Sequence, residues 1–144
     1  VTVTRKDGVM PLRVGQTTTY DLTFSVGSVN NDLSQVRVTL PLPTHMTFRD
    51  ASGSGVTFNE RTNEVVWDIG TVTHGAGVVG PAPQMIVTLS IVPSIDQAGE
   101  VPLLVNNYTI TGTDTFINKP FTLPQSGVEA RVADHDYTNN VVTE

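Results

Sequence analysis

Strict alternation of apolar and polar side chains is the dominant pattern of this sequence. In residues 17–26, Tyr20, Leu22, Phe24 and Val26 fall on one side and the polar side chains between them on the other. A period of two is typical of a β-strand with one buried face and one solvated face. The same pattern predicts further strands over residues 36–40, 64–69 and 85–92. No helical period persists beyond one turn, so the sequence predicts an all-β protein.

Turn-forming residues divide the chain into about 7–9 short strands, which is typical of a sandwich. We expect a long strand over residues 101–111 that ends in a turn at 112–114. Residues 70–83 and 115–127 are rich in Gly or Pro and predict two long loops, the second with a short extra strand around Phe121. The pattern as a whole predicts one immunoglobulin-like antiparallel β-sandwich over residues 1–144, with no significant helix.

Composition supports this fold class and excludes several functions. The formal net charge is −6, from 8 basic and 14 acidic residues. Such a chain lacks the basic surface that nucleic acids require. It also lacks an apolar run near the ~18 residues of a membrane helix, so we expect no direct membrane insertion. The absence of cysteine excludes disulfides and thiolate sites.

The order of five segments resembles a repeat of prokaryotic surface proteins. The most distinctive pieces are Trp67-Asp68-Ile69-Gly70 and the terminal Asp136 followed by Asn139-Asn140. Together the segments resemble the family called domain of unknown function eleven (DUF11), which occurs in tandem in large bacterial and archaeal cell-surface proteins. They cover residues 18–24, 36–43, 46–48, 63–72 and 136–142.

This resemblance implies an extracellular immunoglobulin-like module that acts as a spacer, stalk or adhesive segment. Its partners would be neighbouring modules of the same chain, and the module itself would be a monomer. Because the sequence starts at Val1 rather than Met, we expect it to be one module of a longer tandem protein. The resemblance implies no catalytic activity and no cofactor.

One stretch near the end of the chain has the residues of a calcium site. Asp134, Asp136 and Asn139 offer the hard oxygen ligands that Ca²⁺ prefers. The same side chains also cap turns by accepting hydrogen bonds from their own backbone, which needs no ion. Since Ca²⁺ takes six to eight oxygens and this stretch supplies about four, the sequence favours the turn.

Other chemistry is poorly supported by the sequence. His45, His74 and His135 are far apart and show no ligand spacing for zinc. A Lys–Asn isopeptide bond from Lys6 or Lys119 is conceivable in topology, but it needs a buried carboxylate that the inner strands do not offer. We therefore expect no catalytic residues and no enzymatic activity.

Two functions remain open for such a module. The first is a structural spacer. The alternative is a binding module, for a host protein or a glycan, that uses the loops over residues 70–83 and 115–127 with Phe116 and Phe121 as apolar anchors. Exposed anchors beside a concavity would favour binding, whereas buried anchors would favour the spacer.

Overall fold

The computed structural model describes residues 2–8, 12–27, 31–73, 75, 82–129 and 142, and this part of the chain is all-β. Its one helical element is a single 3₁₀ turn, Ile95–Gln97. The strands are β1 (Thr2–Gly8), β2 (Thr18–Ser25), β3 (Leu33–Pro41), β4 (Met46–Ser52), β5 (Val56–Asn59), β6 (Glu64–Val72), β7 (Gln84–Ile91), β8 (Leu103–Val105), β9 (Tyr108–Asp114), β10 (Lys119–Gln125) and β11 (Val128–Glu129).

The strands form two main antiparallel sheets and a small third one. The first sheet has the order β1-β2-β7-β4, the second has the order β10-β9-β3-β6-β5, and β11 pairs with β8. The consecutive strands β2 and β3 lie in different sheets, as do β6 and β7, so the chain repeatedly crosses between layers. This architecture confirms the predicted immunoglobulin-like antiparallel β-sandwich.

The core lies between the two main sheets, and the alternation in the sequence places the side chains there. Along β2, Tyr20, Leu22 and Phe24 are buried while the residues between them are half-exposed. Trp67 of β6 is 2% exposed and belongs to the same core. Among the described residues, every buried side-chain nitrogen and oxygen atom has a hydrogen-bond partner.

The strand expected over residues 101–111 was wrong, because the chain changes sheets in the middle of it. Leu103–Val105 pairs with β11, whereas Tyr108–Asp114 pairs with β3 and β10. Asn106 lies between them, and its backbone N–H donates to the carbonyl of Pro41 at 2.9 Å instead of continuing either ladder. Both halves are strand-like in sequence, so periodicity alone did not reveal the crossing.

The turn expected at residues 112–114 was also wrong. Strand β9 continues to Asp114, and the chain reverses over residues 115–118. The segment 115–127, expected as a loop, is mostly strand, and its β10 confirms the short extra strand around Phe121. Gly112 lies inside the ladder, opposite Phe121. A glycine fits there because the ring of Phe121 packs directly over it, and a Cβ atom at this position would be 2.8 Å from the ring.

The first and last described residues, Thr2 and Val142, lie at opposite ends of the sandwich. Thr2 pairs with Thr23 at one end, where Leu33 and Asp114 also meet; we call this the N-terminal pole. Val142 lies at the other end, the C-terminal pole, where its N–H donates to Glu100 and its carbonyl accepts from Gly99, at 2.9 and 2.8 Å.

The four edge strands of the two main sheets differ in sequence but share protection against strand addition. Strand β1 has a bulge at Lys6 and β4 has one at Arg49, while β5 is only four residues long. On β10, Pro120 and Pro124 lack the N–H that a further strand would need. Bulges, charged residues, short edges and prolines are the usual means by which β-proteins prevent edge-to-edge pairing.

Candidate functional site

The turn between β9 and β10 is held rigidly at the N-terminal pole. The carboxylate of Asp114 accepts hydrogen bonds from the backbone N–H of Phe116 and from Nδ2 of Asn31, both at 2.9 Å. The N–H and hydroxyl of Thr115 both donate to the carbonyl of Asp32, at 3.1 and 2.9 Å. Asn118 closes the turn at a φ of 52°, a conformation that Asn tolerates better than most residues. The turn is therefore fixed on both sides.

This rigid turn presents two large apolar side chains to solvent. Phe116 is 82% exposed and Ile117 is 55% exposed. Turn residues are usually polar, and burial of an aromatic side chain is favourable. Two exposed apolar side chains on a fixed turn are therefore a candidate contact surface, and we call them the hairpin tip.

A shallow hollow lies beside the hairpin tip. It is open to solvent, measures about 370 Å³, and its walls are mostly apolar. Phe121 is half-buried within it and Leu123 is 48% exposed. The full lining is Leu33, Asp114, Ile117, Lys119, Pro120, Phe121 and Leu123. The two predicted anchors thus have different roles, because Phe116 projects from the turn while Phe121 forms the floor beside it.

A second, polar hollow lies on the outer face of the five-stranded sheet. It measures about 1170 Å³ and includes Arg37, Asp68, Asn59 and Arg61. Arg37 and Asp68 form an ion pair at 3.3 Å, but both side chains are more than half exposed. Exposed pairs of this kind contribute little to stability or binding. The second hollow is therefore a weaker candidate than the hairpin tip.

Three predicted site residues cannot be placed. Asp134, Asp136 and Asn139 lie outside the described residues, as do His74, His135 and residues 76–81 of the expected loop. Within the described ranges, no three His, Asp or Glu side chains gather in a way that could hold a metal ion. The calcium site stays a prediction.

The remaining histidine and the lysines have ordinary surface positions. Nε2 of His45 donates to the carbonyl of Leu103 at 2.8 Å, a contact that joins the β3–β4 turn to β8. Lys6 and Lys119 are exposed, which does not favour the buried environment of an isopeptide bond. No helix in the described part of the chain is long and apolar enough to cross a membrane.

Among the titratable groups of the described residues, Tyr108 is the one whose pKa the fold clearly changes. Burial raises the pKa of Tyr108 above its ordinary value of 10.0, because the charged form loses hydration. Its ring lies edge-on against Phe24, with centroids 5.9 Å apart, and it bridges the two sheets. This position is structural, since Tyr108 lies in the sandwich rather than in either hollow.

Comparison with known proteins shows a shared fold. No protein-family model matches this chain, and no curated protein does. A variant of BcpA, the major pilin subunit of Bacillus cereus, matches with a TM-score of 0.50 and 13% identity over 89% of this chain and 39% of that chain. An exo-β-N-acetylglucosaminidase of Vibrio harveyi matches with a TM-score of 0.50 and 12% identity over 93% of this chain and 19% of that one. Domains D2 and D3 of the major pilin SpaD from Corynebacterium diphtheriae match with a TM-score of 0.45 and 17% identity, over 89% and 50%.

This chain spans half or less of each of these proteins. At such low identity the likeness shows the fold and not the activity, and the same sandwich accompanies both pilins and a glycosidase. The resemblance to the DUF11 repeat stays a prediction.

Proposed function

We propose that this chain is a non-catalytic structural module of a large extracellular cell-surface protein, joined to neighbouring modules of the same chain. The observation that carries the proposal is the position of the two chain ends. Thr2 lies at the N-terminal pole and Val142 at the C-terminal pole, so the module adds its full strand length to any chain of which it is part.

The same geometry suits a module that carries tension. A pull on the two chain ends draws β1 along its own axis, past β2. Hydrogen bonds of an antiparallel ladder lie perpendicular to the strands, so this pull loads the β1–β2 bonds together rather than one after another. The fold shared with the pilin BcpA supports a cell-surface role.

The test is to unfold single molecules by force in two geometries. In the first, handles at the two chain ends load β1 in shear. In the second, the handle at the C-terminal end stays and the other is attached to a cysteine that replaces Lys6, near the C-terminal pole, so that the pull peels β1 from β2. Since the chain has no other cysteine, the attachment is unambiguous. We expect a clearly higher unfolding force in the first geometry. Equal forces in both geometries would contradict a load-bearing module.

A binding module is the second candidate, and one observation favours it specifically. Phe116 is 82% exposed beside an apolar hollow, which is the arrangement expected of an anchor. The partner would be a host protein or a glycan. The test is binding of the labelled domain to panels of immobilised glycans and host extracellular proteins, with Phe116→Ser as the variant and Thr122→Ala as the matched surface control. Binding that the Phe116 variant retains would exclude the hairpin tip.

A further inference from the structure

The exposed large apolar side chains concentrate at the two poles. Phe116 and Ile117 project at the N-terminal pole, where they are 82% and 55% exposed. At the C-terminal pole, Val92 follows the end of β7 and Ile95 lies in the 3₁₀ turn, with exposures of 52% and 59%. Leu103 begins β8 at the same pole and is 38% exposed. Of the seven exposed large apolar side chains in the described ranges, five therefore lie at the two poles, and Ile86 and Leu123 lie within strands of the two main sheets.

The apolar group at the C-terminal pole is held as firmly as the hairpin tip. Ser94 and Gln97 bracket Ile95: the N–H of Ser94 donates to Oε1 of Gln97, and the N–H of Gln97 donates to the carbonyl of Ser94, both at 3.0 Å. The next residues, Gly99 and Glu100, are bonded to Val142. Contacts between two such fixed surfaces lose less conformational entropy than contacts between flexible loops.

Charged side chains flank both apolar groups, with Asp114 also present at the hairpin tip and an exposed Arg13 near Pro93 at the C-terminal pole. Lys119 is exposed directly after the hairpin turn. Asp96 and Glu100 are exposed next to Ile95 at the opposite pole. Opposite charges at the rim of an apolar contact favour one orientation of approach and disfavour like surfaces meeting each other.

Strand addition at the edges of the two main sheets is disfavoured at the same time. The bulges in β1 and β4, the shortness of β5 and the two prolines of β10 protect the four edges against strand addition. The poles carry most of the exposed large apolar side chains of the described residues, so they are better contact surfaces than the strand edges.

From these observations we propose that the hairpin tip docks on the C-terminal pole of another copy of this domain, so that copies contact head to tail. Phe116 and Ile117 meet Val92, Ile95 and Leu103, with Lys119 facing Asp96 and Glu100. Such a contact uses two different surfaces, so it extends into a line rather than closing into a dimer. This inference rests on the proposed structural role, because it names the contact by which one module would stiffen against the next.

The contact between free copies is weak, because it involves few side chains on each surface. Covalent linkage of modules would raise its occupancy, since a short tether provides an effective concentration of about a millimolar. The isolated domain is therefore a monomer at micromolar concentration and associates only when concentrated.

Complementary pole variants give the sharpest test. The first variant, Val92→Ser with Ile95→Ser, keeps an intact hairpin tip. The second, Phe116→Ser with Ile117→Ser, keeps an intact C-terminal pole. These side chains are at least half exposed, so the substitutions leave the core unchanged. The first variant is labelled with ¹⁵N and titrated with unlabelled second variant to about a millimolar, the concentration that a tether would supply.

We expect saturable amide shift changes at residues 114–119 of the labelled variant, and at residues 92–103 when the labels are exchanged. The control is a domain carrying all four substitutions, which should cause no shift in either partner. Lys119→Glu should weaken the association, and added salt should weaken it in the wild type because the rim charges are screened.

Absence of shift changes at a millimolar, or changes confined to β10 and the sheet faces, would overturn the head-to-tail contact. Shifts at the hairpin tip caused by a host protein or glycan, but by no copy of the domain, would also overturn it and support the binding module instead. The force experiment is independent of this contact, because it measures one molecule. An unchanged difference between the two pulling geometries would keep the structural proposal even where the contact failed.

Discussion

The carboxylate of Asp114 accepts a hydrogen bond from Nδ2 of Asn31 at 2.9 Å, although the two residues are 83 positions apart in the chain. The other oxygen of the same carboxylate accepts from the N–H of Phe116. Asp114 thus ties the β9–β10 turn to the segment that precedes β3. Asp114 therefore shares with Thr115, which bonds to Asp32, the task of orienting the hairpin tip.

Replacement of Asp114 by alanine should loosen the hairpin tip. We expect a loss of about 1–2 kcal/mol in the free energy of unfolding, since two partly exposed hydrogen bonds to a charged group disappear. Asp114→Asn should lose less, because its side-chain oxygen can still accept from Phe116. Urea denaturation followed by Trp67 fluorescence measures both, with Thr122→Ala on β10 as a control expected to stay within about 0.5 kcal/mol. An alanine variant as stable as this control would show that the turn does not depend on Asp114.

The two faces of β7 should respond very differently to truncation. Leu89 is fully buried in the core, whereas Ile86 on the same strand is 39% exposed. We expect Leu89→Ala to cost about 2–5 kcal/mol, because it removes buried methyl groups and leaves a cavity. Ile86→Ala should cost about 1 kcal/mol or less, as its side chain is already partly hydrated. Denaturant titration of both variants is the measurement, and similar losses would contradict the assigned core face.

Sequence periodicity predicted the strands well wherever one face of a strand is buried and the other is solvated. Tyr20, Leu22 and Phe24 alternate with polar residues, and all three are buried as expected. A period of two is a direct consequence of strand geometry, so it identifies the core face without knowledge of the partner strand. Trp67 lies within the strand predicted over residues 64–69 and is buried as well.

Periodicity could not show where the chain changes sheets. Leu103–Val105 and Tyr108–Asp114 are both strand-like, and the crossing at Asn106 depends on a hydrogen bond to Pro41, which is distant in sequence. The candidate site shows the same limit. The sequence identified Phe116 and Phe121 as anchors, but it did not distinguish the projecting ring from the ring over Gly112. Ile117, Ile95 and Leu103 were missed, because an apolar residue in a turn or at the end of a strand gives no sign of its exposure until the sandwich is assembled.

Alkaline pH should destabilise the domain partly through Tyr108. Burial raises the pKa of this phenol above 10.0 in the folded state, so the folded protein holds the proton more tightly than the unfolded chain. The contribution of the protonated phenol to the free energy of unfolding is fully present below the unfolded-state pKa. It is lost as the pH rises through the folded-state pKa. Tyr108→Phe keeps the edge-on contact with Phe24 but cannot ionise. We expect its free energy of unfolding to fall less steeply than that of the wild type between about pH 9 and about pH 12. Parallel curves would mean that Tyr108 ionises as easily in the folded state.

The two prolines of β10 should keep the edge of the five-stranded sheet from pairing with other molecules. In the register with β9, Pro120 lies opposite Thr113 and Pro124 opposite Thr109. Successive residues of a strand direct their backbone groups to alternate sides, so the even-numbered positions of β10 face the free edge, where Thr122 alone retains a donor. Pro120→Thr with Pro124→Thr restores a regular row of donors beside the exposed side chain of Leu123. We expect this variant to stay folded but to self-associate at concentrations where the wild type is monomeric, as measured by sedimentation velocity.

Lys119→Pro in the same background should reduce folding of β10 rather than association, because residue 119 donates inward to β9. A double variant that remains monomeric at the solubility limit would show that the prolines are not needed to keep the β10 edge from pairing.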